Sequence, residues 1–178
     1  MNLLKKVILI LAIIIAIPLV AALFVKEQYT VEREIVINQP KQDVFNYLTY
    51  IKNMEAYSPW AELDLDMKRT YTGTDGTVGS TVAWTSQVKE VGSGEQEIKE
   101  IIDGKRINFE LRFSEPFEAR DLGYFSTDSV SETETKVVWG FVGKMKYPMN
   151  LMLLFMDFEQ MIGDEFKKGL SNLKKVLE

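Results

Sequence analysis

The 178 residues include no cysteine and no histidine. Without thiols there is no disulfide and no thiolate nucleophile, and cysteine usage says nothing about the redox compartment. Without imidazole, the Ser-His triad, the histidine general base and nearly every zinc or redox-metal site are removed as well. Neither a cofactor nor a metal is expected. An excess of basic charge is also missing. The formal charge is −5, and setting aside Lys5, Lys6 and Lys26 leaves 18 basic against 26 acidic residues, or −8. Such a surface repels phosphate backbones, and no basic stripe interrupts it. Nucleic acid is therefore not an expected partner, and electrostatic docking on anionic lipid is disfavoured.

What the chain does have is apolar material: 46% of its residues, with 11% aromatic. That is ample for one packed domain plus a short accessory segment at this length. Val7 to Val25 is an uncharged apolar run of nineteen residues. As a helix it spans roughly 28 Å at about 1.5 Å per residue, close to the ~30 Å thickness of a bilayer's hydrocarbon core. Pro18 within it is tolerated in membrane helices. A cleaved signal peptide has a shorter apolar core, and Ala21 and Ala22 offer only a poor cleavage site. A core helix of a soluble domain would show a polar face, and this run has none. Residues 1–28 are expected to be an uncleaved single-pass anchor in the cell membrane. Lys5, Lys6 and the free amine precede the run, whereas Lys26 is offset by Glu27. The positive-inside rule then places the N-terminus in the cytoplasm and residues 29–178 on the outer side. Only a few residues, at most ~3.5 Å each, separate Val25 from the first strand, so the domain sits almost on the bilayer.

The last stretch, Tyr147–Glu178, reads as one long amphipathic helix. Phe155, Phe158, Ile162, Phe166, Leu173 and Leu177 follow at helical spacing, and Pro148 suits a first turn. Acidic residues come early and lysines late, the order that the helix dipole favours. Gly163 and Gly169 would each cost about 1 kcal/mol in a helix interior, which close approach of another backbone could offset. Met149, Met152, Met156 and Met161 could form an adaptable lining, touch lipid, or simply pack the core.

Between these ends the chain alternates in strand fashion. Tyr29–Asn38 is a strand; Pro40 opens a short helix with Val44, Phe45 and Leu48 on one side. A second helical turn at Asn53–Tyr57 ends at Ser58-Pro59. Six further strands are expected, at 67–72, 81–87, 96–102, 107–113, 118–126 and 135–142. Strands in sequence with short turns imply an antiparallel meander, one face wet and the other gripping the helix. A two-residue loop at Asp103-Gly104 sets Ile98 opposite Phe109 and Gln96 opposite Leu111. A two-residue loop at Glu115-Pro116 sets Leu111 opposite Arg120, which brings Arg120, Leu122 and Tyr124 to the concave side. A slip of one residue would reverse this last assignment.

The order of elements, with SPWAELD after the second short helix, GTVGSTVAW entering a strand and IGDEFKKGLSNLKKVLE at the end, resembles the SRPBCC or START-like superfamily. It is most similar to bacterial sequences labelled polyketide cyclase/dehydrase, over roughly Tyr29 to Glu178. The resemblance implies an α+β helix-grip fold, a curved antiparallel sheet of about seven strands wrapped on the long C-terminal helix, with an apolar cavity between them. That superfamily spans lipid carriers, hormone binders, cyclases and proteins without a known role. No catalytic motif here matches a cyclase, and the membrane segment is not part of the shared domain.

The expected cavity is walled by Phe109, Leu111, Phe113, Trp139, Phe155, Phe158 and Ile162, with Gln96, Arg120 and Tyr124 as polar anchors. The plainer alternative is that the aromatics fill a core and that Arg120 pairs with Glu118 or lies at the rim. Trp60 stands at the mouth or plugs the core; Trp84 is a candidate whose face the pattern leaves open. Gly73, Gly76 and Gly79 form a flexible loop rather than a phosphate cradle, and the pairs Asp64/Asp66 and Glu132/Glu134 are solvated. Three functions compete. The leading one is a membrane-anchored module that binds an apolar or amphipathic small molecule, a lipid among the candidates. The second is an enzyme in which Arg120, Tyr124 or Glu62 polarises a carbonyl, and the third a ligand-free module that docks another membrane protein.

Overall fold

A computed structural model describes residues 3–178; the N-terminal amine counted toward orientation lies outside them. The apolar run forms helix α1, Leu3–Ala22, with Pro18 inside it and only Ala22 buried. It is long and apolar enough to cross a membrane. Strand β1, Gln28–Ile37, follows. Helix α2, Lys41–Thr49, buries Val44, Phe45 and Leu48, and a 3-10 turn covers Ile51–Ala56. Helical structure does not stop at Ser58-Pro59. Pro59 instead opens α3, Pro59–Leu63, because a missing N–H is harmless in a first turn.

Strands β2 (Lys68–Thr72), β3 (Thr81–Thr85), β4 (Ser93–Ile102), β5 (Arg106–Glu115), β6 (Ala119–Ser129) and β7 (Thr135–Lys144) complete a seven-stranded antiparallel sheet. Its order is β1-β7-β6-β5-β4-β3-β2, a meander whose last strand is flanked by the first.

Two connections differ from their expected form. The β4–β5 turn has three residues, Asp103–Lys105, with Gly104 in the left-handed region at φ +60°. A bulge between Ile98 and Glu100 absorbs the extra residue, so Ile98 still faces Phe109 and Gln96 still faces Leu111. The β5–β6 connection has no such compensation. Phe113 pairs with Ala119, Leu111 with Asp121 and Arg112 with Arg120. This one-residue difference moves Arg120, Leu122 and Tyr124 to the convex face and brings Asp121, Gly123 and Phe125 inward. On the convex face Arg112 gathers Glu95 (2.7 Å), Glu97 (2.8 Å) and Glu110. Hydrogen bonds from Lys99 and Arg112 hold the Glu97 carboxyl below its ordinary range.

The C-terminal stretch is not one helix. Met149–Leu154 is a 3-10 segment, the chain turns at 155–157, and helix α4 runs Phe158–Leu177. Asp157 caps it, its Oδ1 accepting the Gln160 amide at 2.9 Å. Within the 3-10 segment the Asn150 side chain reaches back toward α1: its Nδ2 donates to the carbonyls of Ala22 (2.7 Å) and Val25 (2.9 Å). The amphipathic face of α4 buries Phe166, Leu170 and Leu173 against the sheet. Its two glycines admit side chains, not another backbone. A Cβ on Gly163 would collide with the Arg33 guanidinium, and one on Gly169 would come within 2.5 Å of the Trp139 ring. Arg33 also reaches α4 by an ion pair, Nη1 to Glu159 Oε1 at 2.5 Å.

Candidate functional site: an apolar cavity between sheet and helix

Phe109, Leu111 and Phe113 alternate on β5, so all three face α4 across the concave side. A cavity of about 320 Å³ lies between them and the helix, the lower end of the ~300–1,000 Å³ usual for small-molecule pockets. Val82 and Trp84 enter it from β3, Gln96 from β4, Trp139 and Phe141 from β7, and Ile162 and Phe166 from α4. The face of Trp84 follows from its pairing with Gly94 and, one strand on, Phe113. Its ring lies over Gly94 and meets Phe113 edge-on at 5.9 Å. Trp60, on α3, is half-buried and edge-on to both Trp139 (6.1 Å) and Phe166 (6.2 Å). It joins α3 to the ring stack at the heart of the site, where Trp139 and Phe166 lie nearly parallel at 4.6 Å.

The polar content is small. Gln96 is 7% exposed, and among the described residues its only side-chain hydrogen bond runs from Nε2 to the Met54 thioether at 3.2 Å. A thioether is a weak acceptor, so the amide keeps most of its bonding capacity for something in the cavity. Charged lining residues, Glu55, Arg69, Lys89, Glu90 and Glu115, mark the mouth. Glu55 accepts from the Tyr71 phenol, whose pKa is raised by burial and then by that bond.

Four of the residues expected at the site lie elsewhere. Arg120 is exposed on the convex face, carried there by the β5–β6 register. Tyr124 is buried on that same face: its ring crosses Gly140, and the Arg106 guanidinium sits 3.5 Å above its centroid. What Tyr124 adds to the cavity wall is therefore backbone. Phe155 is 84% exposed in the turn before α4. Phe158, in the first turn of α4, packs on Tyr29 at 5.6 Å and is not in the cavity wall. Glu62 is also outside the cavity, on the surface between α3 and α4, bonded to Asn172 (2.6 Å) and Lys168 (2.7 Å). The Lys168 bond, first among its causes, holds its carboxyl below the ordinary range.

Sequence reasoning missed Met54, Tyr71 and Val82. Val82 alternates with Trp84, so the face of one fixes the other. Met54 stands in a 3-10 turn, where no periodicity distinguishes an inward residue.

Known proteins place this architecture. The ginseng major latex-like protein 151 of Panax ginseng is similar over 86% of this chain and 99% of its own, at 12% identity and a TM-score of 0.61. A protein of Thermus thermophilus matches at 18% identity and TM-score 0.59, over 84% and 97% of the two chains. The Aha1 dimer of Colwellia psychrerythraea matches at 16% and 0.58, over 84% and 96%. At these identities the likeness is one of fold. A comparison with curated proteins finds no match. The family described as "Polyketide cyclase / dehydrase and lipid transport" matches residues 28–178, every strand of the sheet and the helix it grips. With that match and the helix-grip architecture together, the chain belongs to the polyketide cyclase/dehydrase and lipid transport family.

Proposed function

We propose that residues 29–178 form a binding module for an apolar or amphipathic small molecule, held beside the bilayer by an anchor in residues 1–28. The observation that carries this reading is the cavity itself: aromatic walls, a charged mouth, and one buried amide with its bonding capacity largely unspent. Apolar rings favour a hydrocarbon portion, at about 0.8 kcal/mol per buried methylene. Gln96 would orient a carbonyl or hydroxyl. The family description, with lipid transport in it, supports a lipid as occupant. Catalysis is the weaker reading, because Arg120, Tyr124 and Glu62, the groups weighed for polarising a carbonyl, present no side chain to the cavity. The anchor reading is supported by the length and apolarity of α1. In it, Lys5 and Lys6, in the first turns of α1 ahead of its apolar run, keep the N-terminus in the cytoplasm and the domain on the outer side of a cell membrane.

The test is native mass spectrometry of the full chain released from detergent, beside Leu111→Trp, which fills the cavity. An apolar mass held stoichiometrically by the parent and lost by the variant is the expected result. A mass held equally by both, or by neither, would overturn the proposal.

A further inference from the structure

The strand register brings the anchor and the cavity mouth to the same edge of the sheet. Gln28, the first residue of β1, pairs with Lys144 at the end of β7. Beside them β6 begins, and its Ala119 pairs with Phe113 near the end of β5. Glu115 pairs with Ser93, Ser93 with Thr85, and Thr85 with Lys68. One edge therefore carries the α1–β1 junction, the β5–β6 and β3–β4 connections and the start of β2. Lys89, Glu90, Glu115 and Pro116, which line the cavity, lie in or beside those two connections.

The junction is not a loose tether. The Met145 amide donates to Glu27 O at 2.7 Å, and Asn150 holds the carbonyls of Ala22, the last residue of α1, and of Val25 just beyond it. Its orientation is thus set by the fold. Three aromatic side chains from separate segments stand exposed on this edge: Phe24 at 85%, Phe117 in the β5–β6 connection at 66%, and Phe155 at 84%. Phe24 directly continues the apolar surface of α1, so the medium that covers α1 is the one these rings meet next.

We infer that this edge is a second membrane contact: Phe117 and Phe155 seat in the lipid interface, and the cavity, with its charged rim at headgroup level, opens toward the interfacial layer rather than into bulk water. The inference rests on the anchor reading. It specifies the route by which a ligand enters, from the lipid phase past the β3–β4 and β5–β6 connections. Aromatic rings suit that depth, with their apolar bodies in the acyl boundary.

The absence of native cysteine makes the test direct. Single labels at Phe117→Cys and Phe155→Cys, both exposed positions, are compared with Asp103→Cys at the opposite end of the sheet. Each carries an environment-sensitive fluorophore on the full chain in phosphatidylcholine vesicles, quenched by nitroxide-bearing phospholipid. Several-fold stronger quenching at 117 and 155 than at 103 is expected. Equal quenching at all three, in chains that float with the vesicles, overturns the inference and leaves the anchor standing. Labels shielded from water-borne iodide but not reached by lipid nitroxide overturn it too, in favour of a protein partner or a second copy. Chains that do not float with vesicles overturn the anchor and the inference together. The cavity's occupancy is judged separately, by the Leu111→Trp comparison.

Discussion

Asp121 shows how one residue's position changes its chemistry. The β5–β6 register turns it inward, where its Oδ1 accepts the Lys144 amide at 2.9 Å. Burial raises its carboxyl above the ordinary value, against the smaller lowering by that bond. Burial, and then the charge of Asp121, push the Tyr29 phenol up to about 12. A carboxyl with a raised folded-state pKa opposes folding when ionised, and the opposition fades as pH falls through that raised value toward 3.8. Asp121→Asn keeps an acceptor for Lys144 and removes the charge. The variant should be more stable than the parent at neutral pH, with the gap closing as pH falls through the parent's raised carboxyl value toward 3.8. Denaturant titrations at several pH values check this, and a ring-carbon NMR titration should find the Tyr29 phenol ionising at a lower pH. At this scale the sequence was only half legible. Gln96 reached the concave face as its alternation with Phe-bearing β5 required, whereas Arg120 and Tyr124 did not, because their face hung on the length of one connection.

Among the elements, α4 best shows local chemistry competing with pattern. The apolar run 151–156 continues the helical spacing of α4 backward, and periodicity alone extends the helix to Tyr147. Two polar side chains decide otherwise. Asp157 supplies a cap that satisfies the Gln160 amide, and Asn150 turns toward α1. Asp157→Ala should lower stability by about 1 kcal/mol, read as a shift in the denaturation midpoint with an unchanged slope. An unchanged midpoint would mean that packing of Phe158 on Tyr29 sets the helix start. The β4–β5 hairpin shows the opposite outcome: a longer turn and a bulge cancel, so the expected pairing survives although its local basis differs.

For the molecule as a whole, Asn150 couples α1 to the sheet-and-helix fold that follows it. It is 1% exposed, and its side-chain amide nitrogen donates to Ala22 at the end of α1 and to Val25 in the link to β1. Asn150→Ala should leave the sheet and α4 intact while loosening the junction. Limited trypsinolysis of the full chain in vesicles should then cut after Lys26 several-fold faster, with the thermal transition of the domain little changed. A transition that falls together with the cleavage protection would show that the docking of α1 supports the fold, and not only its orientation.

Composition, periodicity and turn chemistry were enough for the apolar span of α1, the strand count, the meander from β2 to β7, and the amphipathic face that the sheet must cover; that β1 pairs with β7 was not among them. These signals act over a few residues and so are written in contiguous stretches. Three features came from long-range packing instead: which face of β6 looks inward, how Arg33 and Trp139 use the missing side chains of Gly163 and Gly169, and the edge shared by cavity mouth and the α1–β1 junction. Those depend on register summed across seven strands and on contacts such as Asn150 with Ala22, 128 residues apart in the chain. A difference of one residue in a connection reverses a face, and no local pattern encodes its sum.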